Sequence, residues 1–270
     1  MPVVSDTDAS GTELVHLDVA SGVATITLDS PHNRNALSAR LRRELIAHLD
    51  TAIADDAVRV IVLTHTGTVF CAGMDLKESR GTSAHGDGPA HPVTEVPRIL
   101  QTLWDSPTPV IARLSGPARA GGVGIVAACD VAIAAEDATF AFSEVRIGVI
   151  PAVISVTVLP RLSARAAHEL FLTGETFDAT RAATIGLINR AVPAGDLDDG
   201  VARYADMLRL GAPGALAGAK QMLRRARPST MAEDFAEMNT LSATYFAGEE
   251  GQEGIRAFAE KRTPSWVPGS

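Results

Sequence analysis

Glu144 is a lone acid in an apolar setting, Phe140-Ala-Phe-Ser-Glu-Val-Arg-Ile-Gly-Val-Ile-Pro151. A carboxyl group among such neighbours is held toward its neutral form, so it can exchange a proton near neutral pH. Upstream, Gly121-Gly122 opens the apolar run Gly121-Gly-Val-Gly-Ile-Val-Ala-Ala128. Backbone amides at a helix start stabilise negative charge. Together the two features suggest chemistry on a carbonyl compound, with Glu144 moving the proton. The same stretch also reads as an ordinary βα turn followed by a surface glutamate.

A second small-residue turn, Phe70-Cys-Ala-Gly-Met-Asp-Leu-Lys77, shares the logic of Gly116-Pro-Ala-Arg-Ala-Gly-Gly-Val-Gly124. Each follows a buried strand and supplies small residues where a ligand could approach the backbone. Two such turns at adjacent strand ends can aim two N–H groups at one oxygen, as an oxyanion hole requires. Neither turn has the Gly-Lys-Ser/Thr of a phosphate loop or the glycine spacing of a dinucleotide site. Taken singly, each is more often a tight turn.

The elements that must carry these groups follow from periodicity. Glu13–Val19 and Val23–Leu28 read as a hairpin across Ser21-Gly22. Ser30–Leu37 is a loop and Ser38 a helix N-cap. Leu41, Leu45, Leu49 and Ile53 mark one helix face, with Arg42, Arg43 and Glu44 turned outward. Arg59–Thr64 and Pro109–Leu114 are apolar runs of the kind buried in parallel sheets. Between them, Gly67–Leu76 reads as a strand entering the turn, residues 79–92 as a mobile loop, and Glu95–Asp105 as a helix. Short strands follow near Val131–Ala134 and Thr139–Phe142. From Ser163 onward the chain is mostly helical: Ser163–Leu172, Asp178–Ile185, Leu197–Arg209, Ala212–Arg225, Met231–Phe246 and Glu249–Glu260, with one strand at Leu187–Val192. The expectation is an α/β protein with a flexible terminus at 1–12, a core at 13–195 and a helical region at 196–270.

Composition narrows the function classes. A net charge of −8 and the lack of a long basic block argue against a nucleic-acid groove. The pairs Arg42–Arg43 and Arg224–Arg225 read as polar helix faces. Cys71 and Cys129 lack metal-ligand spacing and read as buried free thiols in a reducing compartment. The histidines show no paired spacing for a metal, and His85 and His91 read as solvent-facing. No apolar run reaches the ~18 residues of a membrane span, and the first residues lack a signal-peptide pattern. A cytoplasmic protein is expected.

Six motifs occur in an order and spacing that resemble the enoyl-CoA hydratase/isomerase (crotonase) superfamily: SPHNRNALS at 30–38, VFCAGMDLKE at 69–78, GPARAGGVGIVAACDVAIA at 116–134, FAFSEVRIGVIP at 140–151, LTGE at 172–175 and AFAEKRTPSW at 257–266. The resemblance covers nearly the whole chain. It implies a crotonase (ClpP/crotonase-like) spiral of ββα units with a helical C-terminal trimerisation region, assembled as a homotrimer or dimer of trimers. It implies an acyl-CoA substrate and no cofactor beyond the CoA that belongs to that substrate. By position, the Met74 and Gly121 N–H groups would form the oxyanion hole and Glu144 would be the acid/base. CoA-binding positions would be Arg34, Ala36, Ala72, Asp75, Leu76, Lys77, Gly122, Phe258 and Lys261, although Lys77 and Lys261 equally read as solvated charges.

One departure bears on the reaction. Typical hydratases of this family flank a water with two glutamates, and here Gly124 stands at the first position. Ile125–Cys129 offer no replacement, while Glu136 and Asp137 read as solvent-facing. The resemblance therefore implies a hydratase, closest to the methylglutaconyl-CoA hydratase-like branch through SEVRIGVIPAVIS at 143–155, or else a one-glutamate double-bond isomerase or a non-catalytic acyl-CoA binder. Arg146 reads as a structural ion pair near a trimer contact, with a substrate carboxylate as its other reading.

Overall fold

The computed structural model describes residues 13–75, 78, 95–225, 228 and 230–267. The expectations for residues 1–12, for the 79–92 loop with His85 and His91, and for Leu76 and Lys77 lie outside them.

A six-stranded sheet runs in the order β1 (Val15–Ala20), β2 (Val23–Leu28), β3 (Val60–His65), β4 (Val110–Leu114), β6 (Val131–Ala135), β9 (Arg190–Val192). The first pair is an antiparallel hairpin and every later pair is parallel. All six residues of β3 are buried, as its unbroken apolar run requires of a central strand. Their side chains alternate between two cores. Ile61 and Leu63 join the larger core beneath α1 (Ala39–Ala54), α2 (Glu95–Asp105) and α3 (Gly121–Ala128). Val60 and Val62 join a smaller core with Leu197, Val201 and Ala205 of α7 (Leu197–Arg209) on the other face.

A three-stranded sheet of β5 (Ala118–Arg119), β7 (Thr139–Ala141) and β8 (Phe177–Asp178) stands beside the first. Phe142 holds it to the following helices, with ring centroids 4.6 Å from Phe171 and 5.9 Å from Phe177. Next come α4 (Ala152–Val158), which the sequence reading missed, α5 (Ala164–Thr173) and α6 (Ala179–Thr184). Beyond α7 the chain continues as α8 (Pro213–Arg224), α9 (Met231–Ala247) and α10 (Glu249–Glu260). A capping box between Thr230 and Glu233 starts α9.

Four expectations require correction. The described part of that expected strand, Gly67–Asp75, forms no strand; Cys71 and Met74 instead make isolated bridges to Ala118 and Leu37. The glycine at φ +88°, Gly73, breaks the extended path between them. Arg42 does not face outward: it is buried, donating to the Leu37 carbonyl at 2.5 Å and to Glu95 at 2.7 Å. Its neighbour Glu44 turns inward too, accepting the Leu14 and Val15 N–H groups at 2.5 and 3.1 Å. Helical periodicity assigned both to the polar face, but that face meets the start of β1 and the helix α2.

Arg224 is likewise no solvated residue. Its guanidinium and that of Arg161 lie over the Trp104 ring, 5.0 and 4.8 Å from its centroid. Arg224 and the buried Lys220 both donate to Asp130, at 2.7 and 2.5 Å, and Asp130 also accepts the Val110 N–H. This half-buried carboxylate joins α8 to the β4 and β6 ends. Removing one member of such a cluster strands the others. Asp130→Ala is expected to lower stability by about 3 kcal/mol in chemical denaturation, and adding Lys220→Met should recover part of the loss. A shift below about 1 kcal/mol would show the cluster to be an ordinary surface pair.

Candidate active site

The site is built where two loops are forced into contact by small residues. Leu37 donates to the Gly73 carbonyl at 2.8 Å, and the Ala72 N–H reaches the Arg34 carbonyl at 3.1 Å. These bonds seat the 70–75 turn on the 30–37 loop. On its other side the turn meets the start of α3. A Cβ on Gly73 would lie 2.9 Å from the Ala120 methyl and 3.4 Å from the Gly121 nitrogen. A Cβ on Gly122 would fall 2.7 Å from both the Cys71 Cβ and its carbonyl oxygen. Glycine is required at both places by close backbone approach.

The corner itself is strained. Ala120 has φ 46° and ψ −117°, a conformation suited to glycine, and it makes the N-cap of α3 without any side-chain cap. Such backbone costs on the order of 1–3 kcal/mol and persists where the surroundings over-determine it. Here the Ala120 N–H is held by the Ala141 carbonyl at 3.1 Å, while its own carbonyl accepts from Val123 and Gly124. Gly121 is therefore the first residue of a helix whose eight residues are all buried. Among the described residues, no backbone carbonyl accepts the Met74 or the Gly121 N–H. Two amides on touching turns thus remain available as donors.

Glu144 follows directly from this corner. Ala141, which receives the Ala120 N–H, leads through Phe142 into the 3-10 turn Ser143–Ile147. The turn closes at Gly148, with φ +78°. Glu144 Oε2 is fully buried, and no described residue offers it a hydrogen bond. Burial raises the Glu144 pKa above its ordinary value, partly opposed by its own backbone N–H. Beside it the surface is apolar: Ile147, Val149 and Ile150 are all exposed.

Gly124 is closed to any side chain. A Cβ there would stand 2.6 Å from Ile154 Cγ2 and 3.5 Å from Leu100 Cδ1. The Thr157 hydroxyl donates to the Gly124 carbonyl at 3.1 Å and draws α4 onto α3 at this point. The space that a carboxylate side chain would occupy belongs to Ile154.

Of the sequence candidates, Arg34, Ala36, Ala72, Met74, Asp75, Gly121 and Gly122 gather at the two joined loops. Arg34 is exposed and left-handed (φ 61°), whereas Ala36 is buried. Asp75 lies near Asn33 Nδ2, at 3.5 Å. Phe258 is 88% exposed on α10, and Lys261 is the exposed left-handed residue that ends that helix. The ties of this segment run to Arg59 and Leu210, through the Trp266 carbonyl and indole. Arg146 makes no ion pair among the described residues; it is exposed and donates to the Thr173 carbonyl. Glu136 and Asp137 are exposed, and both cysteines are buried free thiols, with burial pushing Cys71 up to about 12. Among the described residues, no group of three or more His, Cys, Asp or Glu could hold a metal, and no helix is long and apolar enough to cross a membrane. Asn35, buried between the loops, was not a sequence candidate. Its signal is an Asn beside Arg34 in a tight loop, where left-handed backbone favours it.

Residues 18–268 match the enoyl-CoA hydratase/isomerase family. A relative described as a putative enoyl-CoA hydratase, from Thermus thermophilus, is 36% identical over 245 residues, covering 90% of this chain and 96% of the relative. The crystal structure of a putative enoyl-CoA hydratase/isomerase (crotonase) from Legionella pneumophila superposes with a TM-score of 0.86 at 35% identity, over 94% of this chain and 99% of the other. A putative enoyl-CoA hydratase structure from Mycobacterium avium paratuberculosis is 41% identical with a TM-score of 0.71, covering 94% and 99% of the two chains.

The buried carboxyl makes a stability test possible. A group whose pKa is raised on folding favours the fold below its unfolded pKa, and that contribution is lost as pH rises through the folded value. Glu144→Gln removes the titration. Its melting temperature relative to the parent should therefore rise as the pH climbs above the ordinary glutamate value and level off above the folded pKa. A difference that does not change with pH would show that Glu144 ionises freely in water.

Proposed function

This chain belongs to the enoyl-CoA hydratase/isomerase family and has its crotonase fold, and from that premise we propose that it hydrates an enoyl-CoA with Glu144 as its only acid/base. The observation that carries the reading is the buried Glu144 Oε2, without a hydrogen-bond partner among the described residues and joined through Ala141 and Ala120 to the Gly121 amide. The Met74 and Gly121 N–H groups hold the thioester oxygen, which becomes negative as the C2–C3 double bond accepts a nucleophile. Removing one such donor costs about 3 kcal/mol of transition-state stabilisation.

One carboxyl group can balance the whole addition. Protonated Glu144 gives its proton to C2. Water adds through oxygen to C3 and passes a proton to the other carboxylate oxygen, so Glu144 ends protonated again. A carboxyl whose pKa is raised by burial suits this cycle. Relatives described as putative or probable enoyl-CoA hydratases favour hydration over isomerisation. Arg34, Ala36, Ala72, Asp75, Leu76, Lys77 and Gly122 are the positions we assign to CoA. The SEVRIGVIPAVIS segment, residues 143–155, favours a branched or carboxylated acyl group, as in the methylglutaconyl-CoA hydratase-like branch.

A specific observation favours the isomerase as a second reading. Ile154 fills the space at Gly124, and proton transfer between carbons needs no second carboxylate and no added water. A merely acyl-CoA-binding role would leave the buried, unsatisfied Glu144 without a use.

Turnover of a 2-enoyl-CoA and a 3-enoyl-CoA in isotopically labelled water separates the three. Label kept as a stable hydroxyl supports hydration, and a shifted double bond without hydroxyl supports isomerisation. Glu144→Gln should lower either activity by about 10²–10⁴-fold while acyl-CoA still binds. Full activity in that variant would sink the mechanism.

The assembly proposed is a homotrimer or a dimer of trimers. Support comes from α9, in which no residue is buried and whose Phe235 and Phe246 are 61% and 63% exposed. An apolar surface of this kind marks a subunit contact. Sedimentation equilibrium should return three or six times the mass of one chain; a monomer at micromolar concentration would refute it.

A further inference from the structure

We infer that Asn35 is a positioning residue, whose buried carboxamide fixes the spacing of the two loops that carry the Met74 and Gly121 amides. The inference rests on the assignment of those amides as the oxyanion donors. Asn35 touches no proposed reacting atom. It is fully buried and its backbone is left-handed, with φ 52°. Its Oδ1 accepts the Ser30 N–H at 2.7 Å, and its Nδ2 donates to the Thr66 carbonyl at 3.0 Å and the Val69 carbonyl at 2.8 Å. Its own N–H closes the loop on the Ser30 carbonyl at 2.9 Å.

The two carbonyls belong to the segment that leaves β3 and enters the Cys71–Met74 turn. One side chain therefore grips the root of that turn from the neighbouring loop. On either side of Asn35 the backbone makes the remaining ties, Arg34 to Ala72 and Leu37 to Gly73. Leu37 also abuts α3: its Cδ1 stands 2.9 Å from where a Gly121 Cβ would be. A shift of Asn35 is thus transmitted to the Met74 turn directly and to the helix start through Leu37.

The position asks for two properties at once. It needs one acceptor and two donors on a short side chain, which is the inventory of a carboxamide. It also needs a backbone tolerant of positive φ, which among residues with side chains favours Asn and Asp. Aspartate meets the second demand and fails the first, since its ionised oxygens would face two carbonyls. Glycine meets the second and supplies nothing for the first.

An oxyanion donor acts on the charge that develops in the transition state, so loosening it lowers kcat more than it weakens binding. Displacement by about 1 Å can cost on the order of 100-fold. The test uses Asn35→Gly and Asn35→Asp with acetoacetyl-CoA, whose enolate absorbs in the near ultraviolet. We expect the folded variants to bind acetoacetyl-CoA within about threefold of the parent, lose most of the bound enolate absorbance, and show kcat reduced about 30–100-fold with KM little changed. A folded variant with parental enolate absorbance and kcat would overturn the inference. Failure of both variants to fold would also overturn it, by assigning Asn35 to the fold alone. Absence of enolate absorbance in the parent protein itself is a different result, which would remove the assignment of the two amides on which the inference depends.

Discussion

The structure depends on backbone coming within van der Waals reach of backbone at one corner. Gly73, Gly121 and Gly122 lie where a methyl group would strike Ala120, Leu37 or Cys71. Side-chain volume is excluded there, so the ends of two separate loops present amides and little else. Everything around the corner serves to keep it closed. Ala120 accepts a backbone conformation that an L-residue rarely adopts, Cys71 bridges to β5, and eight buried helical residues back the arrangement. Backbone donors held this way need no reorganisation when a negative charge forms, which is where electrostatic stabilisation acts most strongly.

The same tight packing explains the lone carboxylate. Helices α3 and α4 meet so closely at Gly124 that Ile154 takes the volume of any side chain there. An acid introduced at 124 would have to displace a β-branched residue that is only 3% exposed. Glu144 is then the acid that remains beside this packing, and burial pushes its pKa above the ordinary value. The missing glutamate and the packed helix pair are one structural fact.

Much of this was legible in the residues. The unbroken apolar runs gave β3 and β4, the double glycine gave the helix start, and the lone acid in Phe-Ser-Glu-Val marked the buried carboxyl. What periodicity misassigned were Arg42, Glu44 and Arg224, each polar by type and turned inward by partners remote in sequence. Glu95 receives Arg42, the start of β1 uses Glu44, and Trp104 with Asp130 hold Arg224. No local pattern encodes such partners, because they are set by how elements stack. Asn35 was passed over for the same reason: its three side-chain bonds reach residues 30, 66 and 69. The short helix α4 was hidden by its β-branched composition, Ala152-Val-Ile-Ser-Val-Thr-Val158, which local propensity assigns to strand.

The hydrogen bond from Arg59 to the Trp266 carbonyl joins residues 207 positions apart, with the Trp266 indole holding Leu210 beside it. Closing so long a loop is slow relative to forming the β1–β2 hairpin or any helix. On an emerging chain the sheet and the amide corner can consolidate before Trp266 has been synthesised. The contact that docks α10 against the core is therefore expected among the last to form, after the sheet and the amide corner.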